Sequence, residues 1–189
     1  MLRVKRNLTG FILGLASVFL ISQFATPGFA RNKITPSIAP EFTHSDEQDW
    51  LNSKPLQLGD MRGQVVLVDF WTFDCWNCYR SFPWLNDLEK RLASDDFRII
   101  GVHTPEFEHE KLRGNIVAKI EEFQLKHPVM IDNDFSYWRA MGNRYWPAFY
   151  LIDKDGKMAA SFFGETHKGD RQAKAIEKAI SSLLAETAK

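Results

Sequence analysis

The chain has 189 residues, 44% hydrophobic and 13% aromatic, and its 24 basic residues formally cancel 24 acidic ones. That composition fills one sizeable core without covalent staples. The balanced charge argues against nucleic acid or an anionic membrane surface as a partner.

Residues 1–30 read as a targeting segment. Arg3, Lys5 and Arg6 precede an uncharged apolar run over 8–24, and Gly28 and Ala30 occupy the small-residue places of a cleavage site before Arg31. A basic flank, a short apolar run and small residues are the parts of a secretory signal. Left uncleaved, the same run of about 17 residues sits at the lower edge of a membrane anchor. Either way the remainder is expected to be exported, to the periplasm or another extracytoplasmic compartment. Cleavage leaves 21 basic against 24 acidic residues, a formal charge of -3. Residues 31–49 carry Pro36 and Pro40 and no apolar periodicity, which predicts a linker or loosely packed arm. One domain is then expected over 50–189.

Residues 65–71 are continuously apolar and β-branched apart from Asp69, as in a strand covered on both faces. Next come the only two cysteines, in Cys75-Trp76-Asn77-Cys78, followed by Leu85, Leu88 and Leu92. Their helical spacing predicts a helix over about 75–93. Downstream, 97–104 reads as a buried strand, 110–125 as a helix, 127–132 as a strand and 136–141 as a short helix. Residues 147–153 and 158–164, joined around Asp155-Gly156, read as an antiparallel hairpin, and 171–185 as a final amphipathic helix. A βαβ half followed by a hairpin and a helix predicts an α/β fold, a mixed central β-sheet flanked by helices.

Two cysteines in an oxidising compartment usually form a structural staple. A bridge across Cys75 and Cys78 closes only a four-residue loop, however, and gains little chain entropy. Structural zinc wants four ligands. The CxxC step supplies two, and His44, His103, His109, His127 and His167 show no paired spacing, so no metal is expected. A redox dithiol is the reading that remains.

Several stretches in order resemble the thioredoxin superfamily: VLVDFW ending four residues before the CxxC, Asp69 six residues before Cys75, Pro83 eight after it, and Pro147 opening a hairpin strand. WLNSKPLQLGDMRGQVVLVDFW is similar to the exported TlpA-type branch. IGVHTPEFEHEK and GNRYWPAFYLID resemble the thioredoxin-like domain of DipZ-type proteins, and the likeness runs over about 50–185. The resemblance implies a thioredoxin-like fold and a thiol-disulfide oxidoreductase that reduces disulfide-containing protein substrates outside the cytoplasm. DipZ-type proteins join this domain to a membrane-embedded electron-transfer region. A separate membrane electron-donor protein is therefore expected, with this chain a monomer and no cofactor beyond the Cys75-Cys78 disulfide.

Beside that resemblance, each residue has its own physical reading. Cys75 at a helix start meets unpaired N-H groups and the macrodipole, which favour a thiolate, so it is the expected nucleophile. Cys78, one turn deeper on the same face, is the expected resolving thiol. Asp69 in a buried strand should have a raised pKa, and the resemblance implies that it accepts the Cys78 proton through water. The resemblance also implies a cis bond at Trp146-Pro147 with Trp146 main-chain groups offered to substrate; cis is only about 5–6% of such bonds overall. Asp74 opposes thiolate formation where it points inward and is expected to be a solvated tuning charge. Trp76 is the expected aromatic substrate contact, with Trp71, Phe73 and Tyr79 more in keeping with packing. His103 reads as a satisfied strand-end histidine, and Pro83 interrupts the helical hydrogen-bond ladder.

Two other functions fit parts of the pattern. A peroxiredoxin-like thiol peroxidase would use Thr72, three residues before Cys75, but Val68 stands where that pattern has Pro. A soft-metal (copper) carrier would use both thiolates and a histidine, although copper proteins of this fold use CxxxC.

Overall fold

The computed structural model describes residues 37–92 and 94–187. The expected targeting segment lies outside the described residues, as does the 31–36 part of the expected linker.

The first regular element is a two-residue strand, β1 (Trp50–Leu51), which the sequence did not announce. It is followed by β2 (Val65–Trp71), α1 (Trp76–Leu92), β3 (Phe97–His103), α2 (Arg113–Glu122), β4 (Val129–Ile131), α3 (Ser136–Ala140), β5 (Ala148–Ile152), β6 (Met158–Phe163) and α4 (Arg171–Ala185). The six strands form one sheet in the order β1-β4-β3-β2-β5-β6. β2 pairs parallel with β3 and antiparallel with β5. β3 and β4 are parallel, and β1 and β6 run antiparallel at the edges. The fold is therefore the predicted α/β arrangement, a mixed central sheet with helices. No helix among the described residues is long and apolar enough to cross a membrane.

β2 explains its own composition. All seven residues are buried, and alternate side chains feed two different cores. Val65, Leu67 and Trp71 pack with Cys78, Phe82, Leu85 and Leu88 of α1 and with Ile176 and Ile180 of α4. Val66, Val68 and Phe70 join the core that contains Trp50, Tyr137 and Tyr150. A strand covered on both faces has no polar alternation to display.

Residues 37–49, expected as a loose arm, lie against the second core. The Ala39 N-H donates to the Gly156 carbonyl at 2.9 Å, and the Met158 N-H to the Ser37 carbonyl at 2.9 Å. The Phe42 ring stands 5.4 Å from Trp50 and 5.3 Å from Tyr137. His44 faces Asp49, Asp132 and Asp134. The hydrogen bond to Asp132 is the largest cause of its raised pKa. Irregular backbone that packs through single anchors carries no periodicity, so the sequence pattern was silent here.

The helix expected over 110–125 is divided. A single 3-10 turn (Glu108–Lys111) comes first, then extended backbone at Leu112 (φ -73°, ψ 109°), then α2. At the other end Gln124 adopts φ 56° and the Leu125 N-H reaches the Ile120 carbonyl at 3.0 Å, a left-handed C-terminal stop.

α4 begins at a side-chain cap. Asp170 accepts the Ala173 N-H at 2.7 Å with one carboxylate oxygen and the His167 N-H at 2.7 Å with the other. Asp170→Ala is expected to cost about 1 kcal/mol, and urea denaturation would read this as a lower midpoint with an unchanged slope.

Candidate active site

The geometry at the cysteines follows from where α1 starts. Cys75 is the residue before the first helical position, and the Cys78 N-H donates to its sulfur at 3.2 Å. That is the N-cap pattern with sulfur in place of the usual oxygen. The two cysteines form a disulfide with their Cα atoms 5.2 Å apart. Cys75 is half-buried, whereas Cys78 is fully buried, so only the first sulfur of the pair faces an incoming reactant.

Asp69 lies on the α1 side of β2, opposite Gly101 of β3. It is 1% exposed, its Oδ2 has no hydrogen-bond partner, and burial pushes its pKa up to about 8. No backbone group satisfies that oxygen. Two neighbouring polar atoms are also unpartnered, Trp71 Nε1 and His127 Nε2. A Cβ at Gly101 would meet them at 3.1 and 3.2 Å. A methyl of Val129 stands as near, at 3.1 Å, so the close packing at this position has room for glycine alone without a shift.

The β2-α1 loop is tied to the loop after β3. The Cys75 N-H reaches the Thr72 carbonyl at 3.4 Å, closing a turn. Glu110, fully buried, spans that turn: one carboxylate oxygen accepts the Thr72 hydroxyl at 2.5 Å and the Asp74 N-H at 3.0 Å. Its other oxygen accepts the N-H groups of Glu106 and Phe107, at 2.5 and 2.7 Å. The Asp74 carboxylate points outward and pairs with His109, whose ring stacks on Phe107.

His103 corrects an expectation. It is fully buried and only half satisfied: its Nε2 meets the Thr72 hydroxyl at 3.4 Å, whereas its Nδ1 has no partner. Its ring lies between Trp71, edge-on at 4.9 Å, and Phe73, stacked at 5.8 Å. Burial lowers its pKa to about 4, outweighing the upward pull of Glu110 and Asp132, so the ring is neutral near pH 7.

Among the aromatics near the cysteines, Trp71 and Phe73 are buried. Tyr79 is stacked on Phe123 at 4.5 Å with Lys119 over both rings. Trp76 is 68% exposed beside Cys75. The Trp146-Pro147 bond is cis. The Trp146 indole turns inward, donating to the Thr104 carbonyl at 3.1 Å and packing 4.2 Å from Trp138. Its ring is thereby committed to the fold.

His44, Asp132 and Asp134 bring three ligand-type atoms within 4.8 Å of one another. Asp132 already accepts the Tyr137 and Trp138 N-H groups and the Thr104 hydroxyl, which accounts for the cluster as the cap of α3. A surface cavity of about 320 Å³ near the start of β3 is lined by Glu89, Ser94, Arg98, Lys126 and His127 among others. Only His127 is shared with the surroundings of Asp69, through its unpartnered Nε2.

Sequence reasoning missed Glu110 and the Asp74-His109 pair. The signal for Glu110 was a glutamate three residues after Phe107, the spacing at which a carboxylate turns back to cap a helical turn. It was obscured by three other charged residues in 106–111.

Comparison with known proteins agrees with this geometry. The AhpC/TSA family matches residues 36–161. Protein DipZ of Mycobacterium tuberculosis is 40% identical over 119 residues, which are 61% of this chain and 17% of that protein. The chain thus spans about a sixth of that relative's length. The thiol-disulfide oxidoreductase ResA of Bacillus cereus is 30% identical over 132 residues, 69% of this chain and 70% of ResA. The crystal structure of a thioredoxin-like superfamily protein superposes with a TM-score of 0.70 at 27% identity, covering 80% of this chain and 99% of the other. The chain belongs to the AhpC/TSA family, and its thioredoxin-like fold and Cys75-Cys78 pair are those of TlpA/DipZ-type thiol-disulfide oxidoreductases.

Proposed function

We propose that this oxidoreductase is exported and reduces disulfides in extracytoplasmic proteins, with its own dithiol restored by a separate membrane electron-donor protein. The observation that carries the reading is the asymmetry of the pair. Cys75 is half-buried at the start of α1 and Cys78 is sealed beneath it, on the face of β2 that also carries the unpartnered Asp69.

In the reduced protein the Cys75 thiolate attacks one sulfur of a substrate disulfide. A mixed disulfide forms and the first substrate thiolate leaves. Cys78 then loses its proton, which the ionised fraction of Asp69 accepts through water, and attacks the Cys75 sulfur. The second substrate thiolate departs and the Cys75-Cys78 disulfide closes. Two electrons pass to the substrate, and no cofactor takes part. The cis Trp146-Pro147 step offers Trp146 main-chain groups to an extended substrate segment, and Trp76 supplies an exposed apolar contact.

The peroxidase alternative fits less well. Thr72 is fully buried, and its hydroxyl is given to Glu110, so it does not face a peroxide at Cys75. The copper-carrier alternative makes no use of Asp69.

The reductant reading is tested by equilibrating the protein with glutathione. Potentials of CxxC proteins run from about -270 to about -120 mV, and a value at the reducing end is expected. A value near the oxidising end would overturn the assignment, and fast hydrogen peroxide turnover without disulfide reduction would favour the peroxidase.

A further inference from the structure

We propose that Glu110 is a positioning residue that sets the acidity of Cys75 and holds the couple toward its reducing end. This rests on Cys75 being the nucleophile.

Glu110 does two things that bear on Cys75. First, it fixes the turn from which the nucleophile projects. Its Oε1 takes both the Thr72 hydroxyl and the Asp74 N-H, while the Cys75 N-H closes the same turn on the Thr72 carbonyl. Second, it withdraws a donor. The backbone N-H groups at the start of a helix are the local stabilisers of a thiolate. Cys75 receives the Cys78 N-H, but the Asp74 N-H, one residue before the nucleophile, is spent on the carboxylate.

Every donor to Glu110 is a neutral group: one hydroxyl and three backbone amides. The adjacent His103 is neutral as well, held so by burial. The carboxylate charge is therefore compensated by dipoles alone, in a site with little solvent screening. A negative charge so placed disfavours a second one on Cys75. A less stable thiolate makes the dithiol a stronger reductant. Asp74, the other acid beside the nucleophile, has its charge turned outward to His109.

A purely structural role would loosen the loop and nothing more, so two variants with opposite expected signs separate the cases. Glu110→Gln keeps the shape and an acceptor but removes the charge. The Cys75 thiol should become about tenfold more acid, and the glutathione equilibrium should move about tenfold toward the dithiol, about 30 mV. Thr72→Val keeps the carboxylate but removes its hydroxyl donor, leaving the charge less compensated. Both readouts should then move the opposite way, by a few-fold.

The measurements are thiolate absorbance against pH in the reduced protein and equilibration with glutathione, each on folded material verified by circular dichroism. Opposite shifts support the proposal. Shifts of the same sign in both variants, or changed melting temperatures with both readouts within twofold of the unsubstituted protein, overturn it. If Glu110→Gln does not fold, Thr72→Val decides alone by the sign of its shift, an unchanged value counting against the proposal. The absolute potential of the unsubstituted protein tests the reductant reading, whereas the difference between variants tests Glu110.

Discussion

Cys75→Ala is expected to abolish reduction of a model disulfide such as insulin, by about three orders of magnitude or more, as for removal of a nucleophile elsewhere. Cys78→Ala should instead halt the reaction halfway. Its Cys75 still attacks, but no second thiol lies beneath it to displace the substrate, so a covalent adduct accumulates. A non-reducing gel should show that adduct and a reducing gel should not. The difference follows from burial: Cys75 is half-buried at the helix start, while Cys78 is fully buried and reaches only its partner. Adducts trapped on Cys78 in the Cys75→Ala protein would contradict the assignment of roles. Neither variant should lose much stability through the missing bridge, since a four-residue loop contributes little entropy.

Asp69→Asn should have the second largest effect, with opposite signs on activity and stability. Resolution should slow by about 100-fold, the lower range for loss of a general base, and mixed disulfide should build up transiently. Stability should rise, and the size of the gain depends on pH in a defined way. Burial raises the pKa of Asp69 from 3.8 to about 8 in the folded protein. Below about pH 4 the carboxyl is protonated in both folded and unfolded chains, and its contribution to stability is fully present. Between about pH 4 and 8 the unfolded chain releases the proton while the folded one keeps it, so stability falls as pH rises. Above the folded pKa the loss is complete, on the order of 5 kcal/mol at 1.36 kcal/mol per pKa unit. Asn does not titrate. The variant should therefore match the parent near pH 4 and exceed it increasingly up to about pH 8, as read by urea unfolding of the oxidised proteins. An advantage that is the same at pH 4 and pH 8 would show that Asp69 does not titrate as described.

Such a cost fits a group kept for chemistry. A neutral residue at this place would fold more stably, yet the Asp69 Oδ2 is left without a partner, as the proposed role of proton acceptor for Cys78 requires.

The central elements were legible because their signals are local. An uninterrupted apolar run is what a strand covered twice requires, and 65–71 was read to the residue. The leucine spacing over 85–92 located α1, and α4 was likewise read over its whole span. The hairpin of β5 and β6 announced itself through Asp155-Gly156, where Gly156 adopts φ 72°. The cysteine pair, the buried acid and the proline steps were visible as residue types at set spacings.

Elements held by single long-range contacts were not legible. β1 is two residues long and exists because Trp50 and Leu51 pair with Met130 and Val129, a partnership some 80 residues away in sequence. His103 looked like an ordinary strand end until Trp71 and Phe73 closed around it. Glu110 sat in an acid-rich stretch that resembles a solvated helix start, and its burial is decided by Thr72 and Asp74, 38 and 36 residues earlier.

The sequence by itself determined the α/β order, the redox dithiol and the acid beneath it, since periodicity and spacing are properties of neighbouring residues. Only the tertiary structure decided which acids around the cysteine loop are buried and which are turned to solvent. Asp74 is drawn outward by His109, and Glu110 is drawn inward by a hydroxyl and three amides. Electrostatic effects depend on distance and solvent access, and those exist only once separate loops have been brought together.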